Sequence, residues 1–192
     1  MSRIILASGS PRRRQLLEQV GIAHEVIVSN VDETIDGTPE EQARILALRK
    51  AEAVRDIVSE DAVIIAADTL VYIDGNVLGK PSDPDEAFDM LKTLQGRSHT
   101  VYTGVAVLQV GRRACAVESF VETARVYFRK LTDEEIWAYI RTGEPFDKAG
   151  AYGVQEKGAL LVERIVGDFY TVVGLPLAGL AVTLTEMGID IW

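Results

Sequence analysis

Cysteine and histidine are nearly missing: one cysteine, Cys115, and two histidines, His24 and His99, stand in 192 residues. A lone cysteine excludes an internal disulfide and suits a reducing cytoplasm. The histidines lie far apart in sequence, so with one cysteine they leave no ligand set for a structural zinc. A metal is instead expected to be a hard ion held by carboxylates, Mg²⁺ or Mn²⁺. Long apolar runs are missing too, and none reaches the roughly 18 to 20 residues of a membrane span. The first seven residues are too short an apolar run for a secretory signal and read as a strand. Basic charge is outweighed: 29 acidic against 20 basic side chains give a net charge of −9, which argues against nonspecific binding to nucleic acid or an anionic membrane. There is no repeat, low-complexity stretch or linker, so one continuous domain, residues 1–192, is expected, with two lobes around a cleft. A composition of 47% hydrophobic and 26% charged residues can supply its core.

What is present is an alternation of apolar and capped segments. Strand patterns fall at residues 4–7, 24–31, 62–73, 77–78, 101–110 and 116–128, with short strands expected at 151–154, 159–165 and 170–173. Asp74-Gly75 turns one hairpin, and Gly111-Arg112-Arg113 lies between two later strands. Helices are expected from Pro11 to near Gly21, from Thr38 to about Ser59, from Asp83 to Gly96, from Thr132 to Gly143, and from Pro176 to Gly188. Ala43, Leu46, Ala47, Ala51, Val54 and Ile57 mark the apolar face of the second; Ile136, Trp137 and Ile140 point inward from the fourth. The fold class is α/β, with a mixed sheet because hairpins interrupt the alternation.

Three of these helices begin conventionally. Thr38, Asp83 and Thr132 are N-cap residues, each with Glu three positions on, and acids occupy the first turns. The first helix has the same cap and proline, Ser10-Pro11, but then places Arg12, Arg13 and Arg14 where acids belong. That is unfavourable by roughly 0.3 to 1 kcal/mol per charge. An anion resolves the conflict: free backbone N–H groups, the helix dipole and guanidinium forks make a phosphate site, and Ser8-Gly9-Ser10 let a ligand approach closely. A solvated basic turn is the alternative.

Other residues break local rules. Asp68 interrupts a buried apolar strand, and a buried carboxylate needs a cation, a metal or hydrogen bonds. It is a candidate metal ligand or general base for water, or a structural Asp bonded to a nearby turn. Lys50 falls on the apolar face of the second helix; it either snorkels outward or points into a polar cleft. Asp32 and Glu33 follow a strand and can hold a metal with Asp68, or form an exposed acidic loop. The segment Gly75-Asn76-Val77-Leu78-Gly79-Lys80-Pro81 looks like a phosphate loop but is one residue short between its glycines and has proline at the metal-binding hydroxyl position. Lys80 is left as an isolated cation for phosphate. Gln155, in Gly150-Ala151-Tyr152-Gly153-Val154-Gln155, offers a donor and an acceptor to a pyrimidine edge. His99 and the Trp137 stripe are assigned to structure.

Taken in order, Leu6-Ala7-Ser8-Gly9-Ser10-Pro11-Arg12-Arg13, Val31-Asp32-Glu33, Ala67-Asp68-Thr69, Leu78-Gly79-Lys80-Pro81, Gly96-Arg97-Ser98-His99, Asp147-Lys148-Ala149-Gly150-Ala151-Tyr152-Gly153-Val154-Gln155 and Gly174-Leu175-Pro176 resemble the Maf family of nucleoside triphosphate pyrophosphatases nearly end to end. The resemblance implies an elongated, inosine triphosphatase-like α/β fold with a mixed twisted sheet, a divalent cation, and cleavage of a nucleoside triphosphate to the monophosphate and pyrophosphate. It implies Asp68 as the catalytic proton acceptor. Arg12, Thr69 and Gln155 match the specificity positions of the branch acting on dTTP and UTP, whereas the branch acting on 7-methyl-GTP carries Gln and Glu in place of Thr69 and Gln155. Phosphate contacts are expected from Ser8, Arg13, Lys50 and Lys80, and metal ligation from Glu33 and Asp68. A homodimer is the family expectation. The alternatives are a modified-nucleotide substrate and a non-catalytic, nucleotide-sensing regulator of septum formation.

Overall fold

The computed structural model describes residues 3–58, 61–111 and 115–192. Their seven strands form one mixed sheet. The strand β1 (Ile4–Leu6) runs parallel to both its neighbours, β2 (Glu25–Val26) and β3 (Ala62–Ile73), with Ile5 opposite Glu25 and Ile64. The hairpin strand β4 (Asn76–Leu78) returns antiparallel on β3. With β5 (Ser98–Val110), β6 (Cys115–Phe128) and β7 (Val162–Gly167), the order is β2-β1-β3-β5-β6-β7, and β7 lies antiparallel to β6. Six α-helices accompany the described strands: α1 (Pro11–Gln19), α2 (Pro39–Arg55), α3 (Pro84–Leu94), α4 (Asp133–Ile140), α5 (Phe169–Val173) and α6 (Leu177–Glu186). None is long and apolar enough to cross a membrane.

The chain divides into two compact units. One comprises Met1–Asp68, Thr103–Glu122 and Gly174–Trp192. Of its parallel strands, β1 and the apolar run of β3 are buried, whereas the edge strand β2 is exposed. On one face, alternate residues Ile5 and Ala7, Ala62, Ile64 and Ala66, and Ala106 and Leu108 pack with Ala47, Ala51 and Val54 of α2. Small residues let the helix come close. At Gly104 a Cβ would stand 2.2 Å from the Ala43 carbonyl oxygen, so only glycine admits the α2 backbone there.

The other unit comprises Thr69–Tyr102 and Thr123–Val173. Phe88 of α3 stacks on Trp137 of α4 at 4.8 Å, and Lys92 pairs with Asp133. His99, Phe128 and Tyr152 form a buried edge-to-face cluster, in which His99 Nε2 and the Tyr152 hydroxyl share a 2.6 Å hydrogen bond. Burial draws His99 down to about 4.

Several expected elements differ. The strand expected over 24–31 shrinks to Glu25–Val26, because its partner β1 is only three residues long. Residues 170–173 read as a strand but belong to α5: Asp168 caps it, accepting from the Thr171 N–H at 2.6 Å and its hydroxyl at 2.9 Å, and the cap outweighs β-branched propensity. Residues 151–154 form no strand, since Ala151 ends a 3₁₀ turn with φ of 61°. The strand expected at 159–165 begins only at Val162, after a 3₁₀ turn over Glu156–Leu160. Ile57 lies beyond the end of α2 and is 69% exposed; Trp137 is half-buried rather than inward. The expected helix end at Ser59 and the turn at Arg112-Arg113 lie outside the described residues.

Candidate active site

In the first unit, Asp68 extends the face of β3 that Ala62, Ile64 and Ala66 define, because every second strand residue points the same way. Helix α2 covers that face and carries Lys50 beside Ala47, Ala51 and Val54. Lys50 Nζ donates to Asp68 Oδ1 at 2.5 Å and lies 2.7 Å from Glu33 Oε1. The lysine does not snorkel, since its side chain is 13% exposed and its ammonium joins two carboxylates. Their environments differ: the side chain of Asp68 is 10% exposed and that of Glu33 61%. The Asp68 contact is therefore made largely out of water and is the stronger electrostatically. Asp32 does not join them. Its Oδ1 accepts from the Thr34 N–H at 2.8 Å, closing a local turn that holds its carboxylate below the usual range.

The arginine triplet splits three ways. Arg13 Nε donates to the Gly174 carbonyl at 2.7 Å and its Nη1 to Ser8 Oγ at 3.1 Å. Ser8 is buried, and the same Oγ accepts from the Ser10 N–H at 3.2 Å. Burial draws the Arg13 guanidinium below its ordinary value; Asp68 opposes this, Arg12 adds to it, and Glu33 opposes it. It stays a cation at physiological pH. Arg14 turns outward to Glu18 at 2.8 Å, while Arg12 is half-buried. The Ser10 side chain does not cap α1.

No cluster of three or more His, Cys, Asp or Glu groups suited to a metal occurs among the described residues. The Glu33–Asp68 pair still fits Mg²⁺ or Mn²⁺, because both carboxylates already converge on one cation, the Lys50 ammonium. Such ions take one or two carboxylates and complete their shell with phosphate oxygens and water.

The second unit carries Thr69, Lys80 and Gln155. Thr69 is half-buried in β3, and Lys80 is exposed after β4. The segment around Lys80 follows a hairpin turned by Asp74 and Gly75 at φ of 52° and 84°, which is not the strand–loop–helix of a phosphate loop. Gln155 is half-buried, and its amide bonds to no described residue. Gly174 stands in a recognised motif, but its carbonyl, the acceptor for Arg13, has no side-chain signature to reveal that role. Sequence reasoning passed over Tyr139 and Glu144, whose polar ends meet the backbone on either side of Gln155.

A small-residue loop with arginine at a helix start and a buried carboxylate–ammonium pair occur together in one unit of this α/β protein. The Maf-like protein family profile matches residues 3–187, and the chain belongs to that family. Similar proteins include one from Caldicellulosiruptor saccharolyticus, named dTTP/UTP pyrophosphatase, 49% identical over 196 residues that span 100% of this chain and 98% of the relative. One from Bacillus cereus with the same name is 47% identical over 193 residues, again 100% of this chain and 98% of the relative. Among solved structures, the Staphylococcus aureus Ham1 protein aligns with a TM-score of 0.46 and 18% identity, covering 66% of this chain and 71% of that one.

Proposed function

We propose that this protein hydrolyses the α–β phosphoanhydride of dTTP and UTP, releasing pyrophosphate and the nucleoside monophosphate. The observation that carries the reading is the buried Asp68 held on Lys50, with Glu33 on the same ammonium. The names of relatives 47% and 49% identical over the whole chain support a pyrimidine nucleotide as substrate.

In this reading Ser8, Arg13, Lys50 and Lys80, with the start of α1, hold the triphosphate. Arg12, Thr69 and Gln155 select the nucleotide. Glu33 and Asp68 would hold a Mg²⁺ or Mn²⁺ ion, which would supply charge neutralisation and polarisation at the phosphates. Asp68 orients a water and accepts its proton as the water oxygen bonds to the α-phosphorus. The bond from that phosphorus to the α–β bridging oxygen breaks, and pyrophosphate departs with the oxygen. Arg13 and Lys80 meet the charge on the departing group. The lone Cys115 suits a cytoplasmic setting for this chemistry.

The test is pyrophosphate release from dTTP, UTP, CTP, GTP and 7-methyl-GTP, each with and without Mg²⁺ and Mn²⁺. Metal-dependent release, fastest from dTTP and UTP, is expected; a purine preference would overturn the specificity assignment. Asp68→Asn should lose about 10³-fold in kcat while keeping nucleotide binding. Near-normal turnover by that variant would remove Asp68 from the chemistry. Tight binding by the unaltered protein with no release would make it a nucleotide sensor instead.

A further inference from the structure

The segment over residues 153–158 is tied at its base. A Cβ at Gly158 would lie 2.1 Å from the Gly153 carbonyl oxygen, so the two ends touch backbone to backbone and Gln155 sits on the loop between them. Two side chains outside the loop hold this base. Glu144 Oε1 accepts from the Lys157 N–H at 3.2 Å and its Oε2 from the Gly158 N–H at 3.1 Å, so one carboxylate spans two successive amides. The Tyr139 hydroxyl accepts from the Gly153 N–H at 3.2 Å on the other side. Burial raises the Tyr139 phenol, which keeps its proton, and the same hydroxyl lies against Glu144.

Glu144 is itself anchored. Its N–H donates to Thr142 Oγ1 at 3.1 Å, and its carbonyl accepts from Lys148 Nζ at 2.6 Å. The loop needs such support, because Glu156, next to Gln155, holds a left-handed φ of 52°. A residue with a side chain keeps that conformation only where its surroundings over-determine it.

We infer that Glu144, assisted by Tyr139, is a positioning residue for nucleotide selection: it fixes the loop in the conformation that presents the Gln155 amide to the base. This rests on the reading of Gln155 as a base contact. Glu144 touches neither phosphate nor metal in this role. Its loss therefore weakens pyrimidine recognition and leaves the chemistry at Asp68 in place.

The experiment uses the full chain with Glu144→Ala, the isosteric Glu144→Gln, and Tyr139→Phe. Steady-state release from dTTP and UTP is measured beside amide hydrogen exchange at Gly153, Lys157 and Gly158. Glu144→Ala should raise KM for both nucleotides about tenfold with kcat within about twofold. Exchange at Lys157 and Gly158 should quicken while that of β3 holds. Glu144→Gln, which keeps one acceptor oxygen, should fall between, and Tyr139→Phe should quicken exchange at Gly153. Two results overturn the inference: an unchanged KM despite faster exchange, or a fall in kcat that matches the change in KM. Gln155→Ala separates the two ideas. If it leaves pyrimidine preference intact, the base-contact reading fails, while exchange at Lys157 and Gly158 still reports whether Glu144 holds the loop.

Discussion

Lys50→Met and Asp68→Asn should couple strongly, and unequally, in a double-mutant cycle. The lysine has two carboxylate partners, Asp68 at 2.5 Å and Glu33 at 2.7 Å, of which Asp68 is buried and Glu33 is exposed. Removing the ammonium leaves a buried carboxylate uncompensated, a loss that costs about 3 kcal/mol, at the low end for such pairs because Arg13 still acts on Asp68. Removing the Asp68 charge leaves Lys50 paired with Glu33, so that single change costs about 1 kcal/mol or less. Removing both leaves no buried charge, and the double variant should sit within about 1 kcal/mol of Asp68→Asn. The coupling free energy is then about 2 kcal/mol or more. Urea unfolding of the four proteins measures it. In thermal unfolding Lys50→Met alone should lower Tm by about 6 to 12 °C. Additive losses, or a Lys50→Met variant as stable as the parent, would refute the claim that this lysine neutralises Asp68 inside the fold.

Other consequences follow from single contacts. Gly104→Ala places a methyl against the Ala43 carbonyl at 2.2 Å and must displace the helix that carries Lys50. A loss of about 3 kcal/mol and a lower kcat are expected, and a Tm within about a degree of the parent would sink the packing argument. Arg13→Lys cannot reproduce a fork that bonds both the Gly174 carbonyl and Ser8 Oγ, so kcat/KM for dTTP should fall about 10- to 100-fold. Parent-like kcat/KM would show that a point charge suffices. His99 is neutral when folded down to about 4 but titrates near 6.5 when unfolded, so the unfolded state binds the extra proton between those values. Stability should fall by as much as about 3 kcal/mol as pH drops through that window, relative to His99→Gln. A stability gap between the two proteins that does not change with pH would contradict this.

Lys50 and Asp68 were legible in the sequence separately, each as a polar residue on an apolar face, but not as partners. Asp68 keeps step with Ala62, Ile64 and Ala66 at period two, and Lys50 lies within the helical stripe of Ala47, Ala51 and Val54. A strand face and a helix stripe that pack together bring along whatever polar residues lie on them. Glu33 was legible only as a candidate, because it follows an irregular stretch with no period to fix its direction. The stretch from Tyr170 to Val173 shows the opposite failure. Its aromatic and β-branched residues favour a strand, yet Asp168, just ahead of it, caps a helix by accepting from Thr171 within it. A two-residue hydrogen-bond choice decided a five-residue element. The support of Gln155 was hidden for a third reason: its contacts run from side chains to backbone amides, and an amide looks alike at every position in a sequence.

The start of α1 gains its meaning from the other helix starts. Thr38, Asp83 and Thr132 each accept from the amide three residues on, at 3.3, 2.8 and 3.3 Å, with acids in the turn that follows. Helix α1 has neither a side-chain cap nor an acid in that turn. Its capping capacity is redirected: Ser8 rather than Ser10 supplies the hydroxyl, and that hydroxyl faces the Ser10 amide and Arg13 together. Arg14 takes the ordinary surface solution, an i,i+4 pair with Glu18. Arg13 is instead held at two points, which fixes the plane of its guanidinium before any ligand arrives. A fork oriented in advance loses less freedom on meeting a phosphate than a free side chain does. The basic helix start and the two-point anchoring of Arg13 thus belong to one arrangement, the one the proposed phosphate site requires.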